Sequence, residues 1–173
     1  MRRVVVTGVG AVTPLASNVP HTWERLLGGK SGLGAITSFD VSDLPCKVAA
    51  EITVGTGEGD FNPDDILHPK DQKKIDSFIL YAIAASKEAV RDSGWVAETD
   101  EQQIRTGVMI GSGIGGLQKI EEGVTFINQH GPRRLSPFFI PGCLINLASG
   151  HVSIEYHFRG PNQSVVTACS TGA

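Results

Sequence analysis

The residues best placed to do chemistry lie at positions 164–173, where the chain reads Ser164-Val165-Val166-Thr167-Ala168-Cys169-Ser170-Thr171-Gly172-Ala173. The run from Ser164 to Ala168 has the β-branched character of a strand, and Gly160-Pro161 breaks the chain ahead of it. Cys169 then falls where such a strand would turn sharply. A strand entering a tight turn, with the nucleophile at the turn and a helix behind it, lifts the side chain above the sheet. A helix N-terminus there would stabilise a thiolate. The small neighbours Ala168, Ser170, Gly172 and Ala173 would admit a close substrate and let backbone N–H groups face an oxyanion. Spacing alone leaves a second reading open, a buried structural cysteine. Cys46 and Cys143 have no comparable setting and read as structural.

Two glycine-rich stretches also follow apolar runs. Thr7-Gly8-Val9-Gly10 has Thr13 where a third glycine of a dinucleotide fingerprint would stand, and Lys30-Ser31-Gly32 where its acidic residue would be. Gly111, Gly113 and Gly116 do spell G-x-G-x-x-G, but Arg133-Arg134, not an acid, lies about 20 residues on. That stretch reads either as a phosphate cradle or as a tight turn permitting close backbone approach. The 5 histidines form no i,i+4 pair, which argues against a metal site.

The elements that must position these residues alternate between strand and helix. Strands are expected at Val4–Thr7, within residues 47–52, at Thr106–Ile110 and at Ser164–Ala168. Helices are expected at His21–Leu27, after Pro69 through Val90 to a stop at Gly94, at Leu117–Asn128 and within residues 143–157. In the last of these, Leu144, Leu147, Ala148 and Ile154 are expected to face inward. This order is that of an α/β domain. The first turns of the helix after Pro69 would carry Lys70, Lys73 and Lys74, cations that oppose its dipole and suggest another use.

The net charge of -3 gives no ground for nucleic acid as the main partner. No apolar stretch reaches the ~18 residues of a membrane span, and the N-terminal run reads as a strand rather than a signal peptide. The 3 widely spaced cysteines make neither a disulfide framework nor a zinc set, which points to a reducing cytoplasm.

The whole chain resembles the N-terminal part of the β-ketoacyl-[acyl-carrier-protein] synthases, the elongating condensing enzymes of bacterial fatty-acid synthesis. The resemblance runs through Arg3-Val4-Val5-Val6-Thr7-Gly8, Val12-Thr13-Pro14-Leu15, Phe61-Asn62-Pro63 and the Lys70 to Ile83 segment. It continues through Gly111-Ser112-Gly113-Ile114-Gly115-Gly116, Ser136-Pro137-Phe138-Phe139-Ile140-Pro141 and Thr167-Ala168-Cys169-Ser170-Thr171-Gly172. The Ile114 and Phe138-Phe139 blocks look like the type II branch rather than type I.

The resemblance implies the thiolase-like fold, an αβαβα sandwich of two similar halves, with residues 1–173 an incomplete N-terminal half ending just after the nucleophile elbow. It implies a homodimer in which Cys169 takes an acyl group from acyl carrier protein and a decarboxylated malonyl-carrier unit then attacks it. Ile114, Phe139 and Ile140 match acyl-pocket positions, their plainer reading being ordinary core. Lys70, Lys73, Lys74, Arg133 and Arg134 match the basic face that docks the acidic carrier protein. No resident cofactor or metal is implied, because phosphopantetheine arrives on the carrier protein.

Ala16 and His157 stand where the family commonly has glycine, and Gln163 at a position that varies. The catalytic histidines and lysine of the family have no match in this chain, so the segment alone is expected to be inactive. A polyketide-type ketosynthase and a non-catalytic module binding carrier protein or a second subunit are the alternative readings. Cys169, rather than glutamine, argues against a chain-length factor.

Overall fold

The computed structural model describes residues 2–172. These divide into two compact units: the chain up to Asn62 together with Lys87–Gly94, and Pro63–Ser86 together with the chain from Trp95 onward.

In the first unit, helix α1 (Val19–Leu27) starts where Asn18 Oδ1 accepts the N–H of His21 at 3.0 Å, with Pro20 in its first turn, and it closes at Gly28. Strands β1 (Leu33–Ala35) and β2 (Val48–Ala50) pair antiparallel, Leu33 opposite Ala50. Ala16 and Phe61 are buried. Ala16 closes a tight turn on Thr13, whose N–H donates to the Ala16 carbonyl at 2.8 Å.

Val4–Thr7 does not form the strand expected of it. Val4 is 95% exposed, and Val5 and Val6 are exposed as well. β-Branched residues favour an extended backbone, but a strand exists only where a neighbour accepts its ladder, and among the described residues none pairs with this run.

The helix expected after Pro69 is two helices, α2 (Pro69–Gln72) and α3 (Ser77–Ser93), separated by residues 73–76. Lys73 and Lys74 therefore lie between helices, and Asp76, not a lysine, stands at the start of α3. Gly94, at φ +63, stops α3 as the sequence indicates. Its inward face in the second unit is Ile79, Leu80, Ile83 and Ala84. Ile75, Val108, Ala148, Val152 and Phe158 are buried there too.

The second unit continues with α4 (Asp100–Arg105), β3 (Val108–Met109), α5 (Leu117–His130), α6 (Phe139–Cys143), α7 (Asn146–Tyr156) and β4 (Asn162–Gln163). The helical stretch expected within residues 143–157 is thus mainly α7. Its buried face is Ala148, Ser149 and Val152, whereas Leu144 and Ile154 are exposed.

Strands β3 and β4 pair in parallel, Val108 opposite Asn162 and Met109 opposite Gln163. The Ile110 N–H extends the ladder to the Gln163 carbonyl at 3.3 Å, and Ser164 Oγ donates to the Ile110 carbonyl at 2.6 Å. Residues 164–168, expected to be strand, lie beyond the paired segment, and Ala168 opens a 3-10 turn. Parallel pairing sends both chains out at the same end of the ladder, so the glycine loop after Ile110 and the turn after Gln163 emerge side by side. No helix among the described residues is long and apolar enough to cross a membrane.

Candidate functional site

Cys169 is exposed and unbridged, in a single 3-10 turn, Ala168–Ser170. Ala168, immediately before it, holds a left-handed backbone at φ 51. That conformation is costly for a residue with a Cβ and persists only where the surroundings impose it.

The turn's own hydroxyls impose much of it. Thr171 Oγ1 accepts the Thr167 N–H at 2.9 Å and donates to the Ala168 carbonyl at 2.7 Å. Ser170 Oγ donates to the Thr167 carbonyl at 2.9 Å. The sequence signature of a cysteine at a sharp bend is therefore realised, and the buried structural alternative is excluded for Cys169. Ser170 closes the 3-10 turn, and Thr171 and Gly172 continue as a turn.

The loop from Gly111 to Gly116 packs on this turn. A Cβ at Gly111 would lie 2.5 Å from Thr171 Cγ2 and 2.6 Å from the Val165 carbonyl oxygen; one at Gly113 would lie 3.4 Å from that of Ala168. Gly111 and Gly113 permit close approach to this turn, and Gly116 permits it to Cys143, contacts that accord with the tight-turn reading of their spacing. Ile114, on this loop, is 68% exposed, and Ile140 is exposed on α6. Neither is ordinary core.

Phe139 is half-buried, its ring against α5, where Gly123 leaves room for it: a Cβ there would meet Phe139 Cε2 at 2.3 Å. Of the other cysteines, Cys143 is buried, its Sγ donating to the Phe139 carbonyl at 2.9 Å, and burial pushes its thiol pKa up. Cys46 is exposed, with Sγ donating to the Val48 carbonyl at 3.4 Å.

The basic residues separate into different settings. Lys73 and Arg134 line one cavity of about 220 Å3 with Lys119, Phe126, Leu135 and Phe139. Lys74 instead donates to Asp71 Oδ1 at 2.6 Å and lies 5.3 Å from the Phe138 ring centroid. That ammonium holds the Asp71 carboxyl below the usual carboxylate range. Lys70 and Arg133 are exposed. Lys119 escaped the sequence reading because it stands alone on α5. The i,i+3 spacing of Lys119 and Glu122 was the only local signal, and they pair at 3.9 Å.

An exposed cysteine on a strained turn stands beside a glycine loop at the open end of a parallel ladder, in a chain of the α/β class. The profile of the family "Beta-ketoacyl synthase, N-terminal domain" matches residues 1–173, and the chain belongs to that family. It is 56% identical over 174 residues to 3-oxoacyl-[acyl-carrier-protein] synthase 2 of Rhizobium meliloti, covering 100% of this chain and 41% of that protein. To the synthase 2 of Coxiella burnetii it is 48% identical, covering 99% of this chain and 40% of the relative. The solved structure of the ishigamide ketosynthase/chain length factor superposes with a TM-score of 0.79 at 25% identity, over 96% of this chain and 40% of that one. The thiolase-like fold expected from the resemblance is thus the fold observed. The chain spans about two-fifths of the length of the curated relatives it matches.

Proposed function

We propose that this chain supplies the acyl-accepting nucleophile of an elongating fatty-acid condensing enzyme. The observation that carries the reading is Cys169, exposed beside a left-handed Ala168 and braced by the glycine loop. In the reaction, the Cys169 thiolate attacks the carbonyl carbon of an acyl thioester on acyl carrier protein. A new C–S bond forms, and the carrier's phosphopantetheine thiol leaves. A malonyl-carrier unit then loses CO2, and the resulting carbanion attacks the acyl carbon on Cys169. A C–C bond forms and the Cys169 thiolate is released. The Cys169 N–H is one oxyanion donor.

Ile114, Phe139 and Ile140 wall the acyl chain; the exposure of Ile114 and Ile140 fits them to a surface completed by other parts of the enzyme. Lys73 and Arg134, with Lys119 in the same cavity, receive the acidic carrier protein, and Lys70, Lys74 and Arg133 extend that face. The working enzyme is a homodimer in the cytoplasm without a resident cofactor, a setting that three unbridged cysteines suit. The 56% and 48% identities to 3-oxoacyl-[acyl-carrier-protein] synthases 2, against 24% to a type II PKS ketosynthase, favour fatty-acid over polyketide elongation. The segment alone does not condense, since no histidine in it matches the family's catalytic pair.

Intact-mass measurement after incubation with an acyl-[acyl-carrier-protein] tests the reading. The protein is expected to gain one acyl mass and to lose that gain, by at least about 1,000-fold in rate, in C169A but not in C46A. An undiminished adduct on C169A, or none on the unaltered protein, overturns it.

A further inference from the structure

Asp76 takes no part in the chemistry above, yet it is only 6% exposed and its two oxygens serve different elements. Oδ1 accepts the Phe78 N–H at 3.3 Å and Ser77 Oγ at 3.1 Å, closing the first turn of α3. Oδ2 accepts the N–H of Lys119 at 3.0 Å, in the first turn of α5 and 43 residues away in sequence. The Asp76 N–H itself donates to the Gly142 carbonyl, in α6, at 3.3 Å. One side chain therefore ties together the starts of α3 and α5, and its backbone adds the end of α6. Capping α3 alone needs only one oxygen. The second reaches the element into which the glycine loop runs.

That loop is seated at both ends. At its exit, the Gly116 N–H donates to the Cys143 carbonyl at 3.0 Å. A Cβ on Gly116 would lie 2.8 Å from Cys143 Cα and 3.0 Å from Asp76 Oδ2, so the loop has no slack there. At its entrance, Gly111 and Gly113 lie against the elbow. Ile114 is held between the two seats.

We infer that Asp76 is a positioning residue for the acyl pocket. By fixing the start of α5 it fixes the exit of the glycine loop, and so the place of Ile114 relative to Cys169. The inference rests on the acyl-transfer reading above. Asp76 acts through the loop and does not touch the reacting atoms.

The test uses the full enzyme with acyl-carrier thioesters of one short and one long saturated chain. D76N retains one acceptor but sets an amide NH2 against a backbone N–H. It is expected to lower the long-to-short ratio of kcat/KM about tenfold, chiefly through KM for the long chain. Alkylation of Cys169 by iodoacetamide should change less than about twofold, because the elbow end of the loop stays seated. G116A, whose Cβ wedges the same contact, should move the ratio in the same direction and serves if D76N does not fold. A ratio within about twofold of the unaltered enzyme in a folded variant overturns the inference, whether or not overall stability falls. Absence of any acyl adduct on Cys169 in the unaltered enzyme sinks the acyl-transfer reading instead, so the two failures are distinct.

Discussion

Two stretches of this chain are written to one plan, a β-branched run delivering small residues into a bend: Val4-Val5-Val6-Thr7-Gly8 and Val165-Val166-Thr167-Ala168-Cys169. Neither run is a strand among the described residues. At the first, a Cβ on Gly8 would lie 2.3 Å from the Ala89 carbonyl oxygen, so only glycine fits against the end of α3. The N–H groups that follow are taken by carboxylates of that helix, Val9 by Asp92 at 2.9 Å and Ala11 by Glu88 at 2.9 Å. At the second bend the special backbone belongs to an alanine at φ 51, and the turn is held by hydroxyls of its own residues. The first arrangement anchors a turn to a helix. The second keeps a strained turn in place while leaving its cysteine exposed. A nucleophile at the first bend would sit among carboxylates that disfavour a thiolate, whereas at the second its neighbours are hydroxyls and small side chains.

The sharpest way to break this contrast is to add a methyl group at each close approach. G111A and G8A each force backbone to move and should each lower unfolding stability by about 1–3 kcal/mol in a denaturant titration. Only G111A should also slow acylation of Cys169, by about 100-fold if the elbow shifts by about 1 Å. Equal loss of acylation in both would mean that the elbow is not separately braced.

His157 offers a smaller probe. Among the described residues it is the other left-handed one with a Cβ, at φ 55, and it caps α7 with its N–H directed to the Ile154 carbonyl. Unlike Ala168 it stands beside no candidate nucleophile, so H157G should simply relieve the backbone. A stabilisation of about 1 kcal/mol is expected, seen as a rise in Tm of about 2–4 °C with acylation unchanged. A fall in Tm would show that the histidine side chain does more than occupy the cap.

The smallest effect concerns a third bend, also held by a carboxylate. Glu51 accepts from Thr37 and Ser38 through both backbone N–H and hydroxyl, and these bonds, led by the Ser38 hydroxyl, lower its pKa from 4.5 to about 2. A depressed folded-state pKa means that the unfolded chain binds the proton more readily. The contribution is therefore present above about pH 4.5 and lost as pH falls towards about 2. Acid titrations followed by circular dichroism should show a shallower loss over that window in E51Q. An unaltered acid limb would mean that this bend holds without its carboxylate.

Much of the candidate site was legible because it depends on local rules. Asn18 ahead of α1, Gly94 after α3 and the small residues around Cys169 announce caps and a bend by residue type alone. The motif series from Val4 to Gly172 was specific enough to indicate the family. The misreadings arose where local preference needed a distant partner. The valines at 4–6 favour extended backbone but cannot provide the neighbour that makes a strand. One apolar period ran from Ile75 to Val90, yet α3 begins only after Asp76, whose side chain caps it and thereby separates Lys73 and Lys74 from the helix start.

The sequence by itself determined that Cys169 stands at a bend among residues small enough to approach, and that the glycine loop could come close to another backbone, since both follow from side-chain size and φ preference. Tertiary structure decided which backbone the loop meets and that Lys73 and Arg134 share a cavity with Lys119. Those outcomes depend on contacts between residues tens of positions apart, and such contacts are set by parallel pairing and helix packing rather than by any local preference.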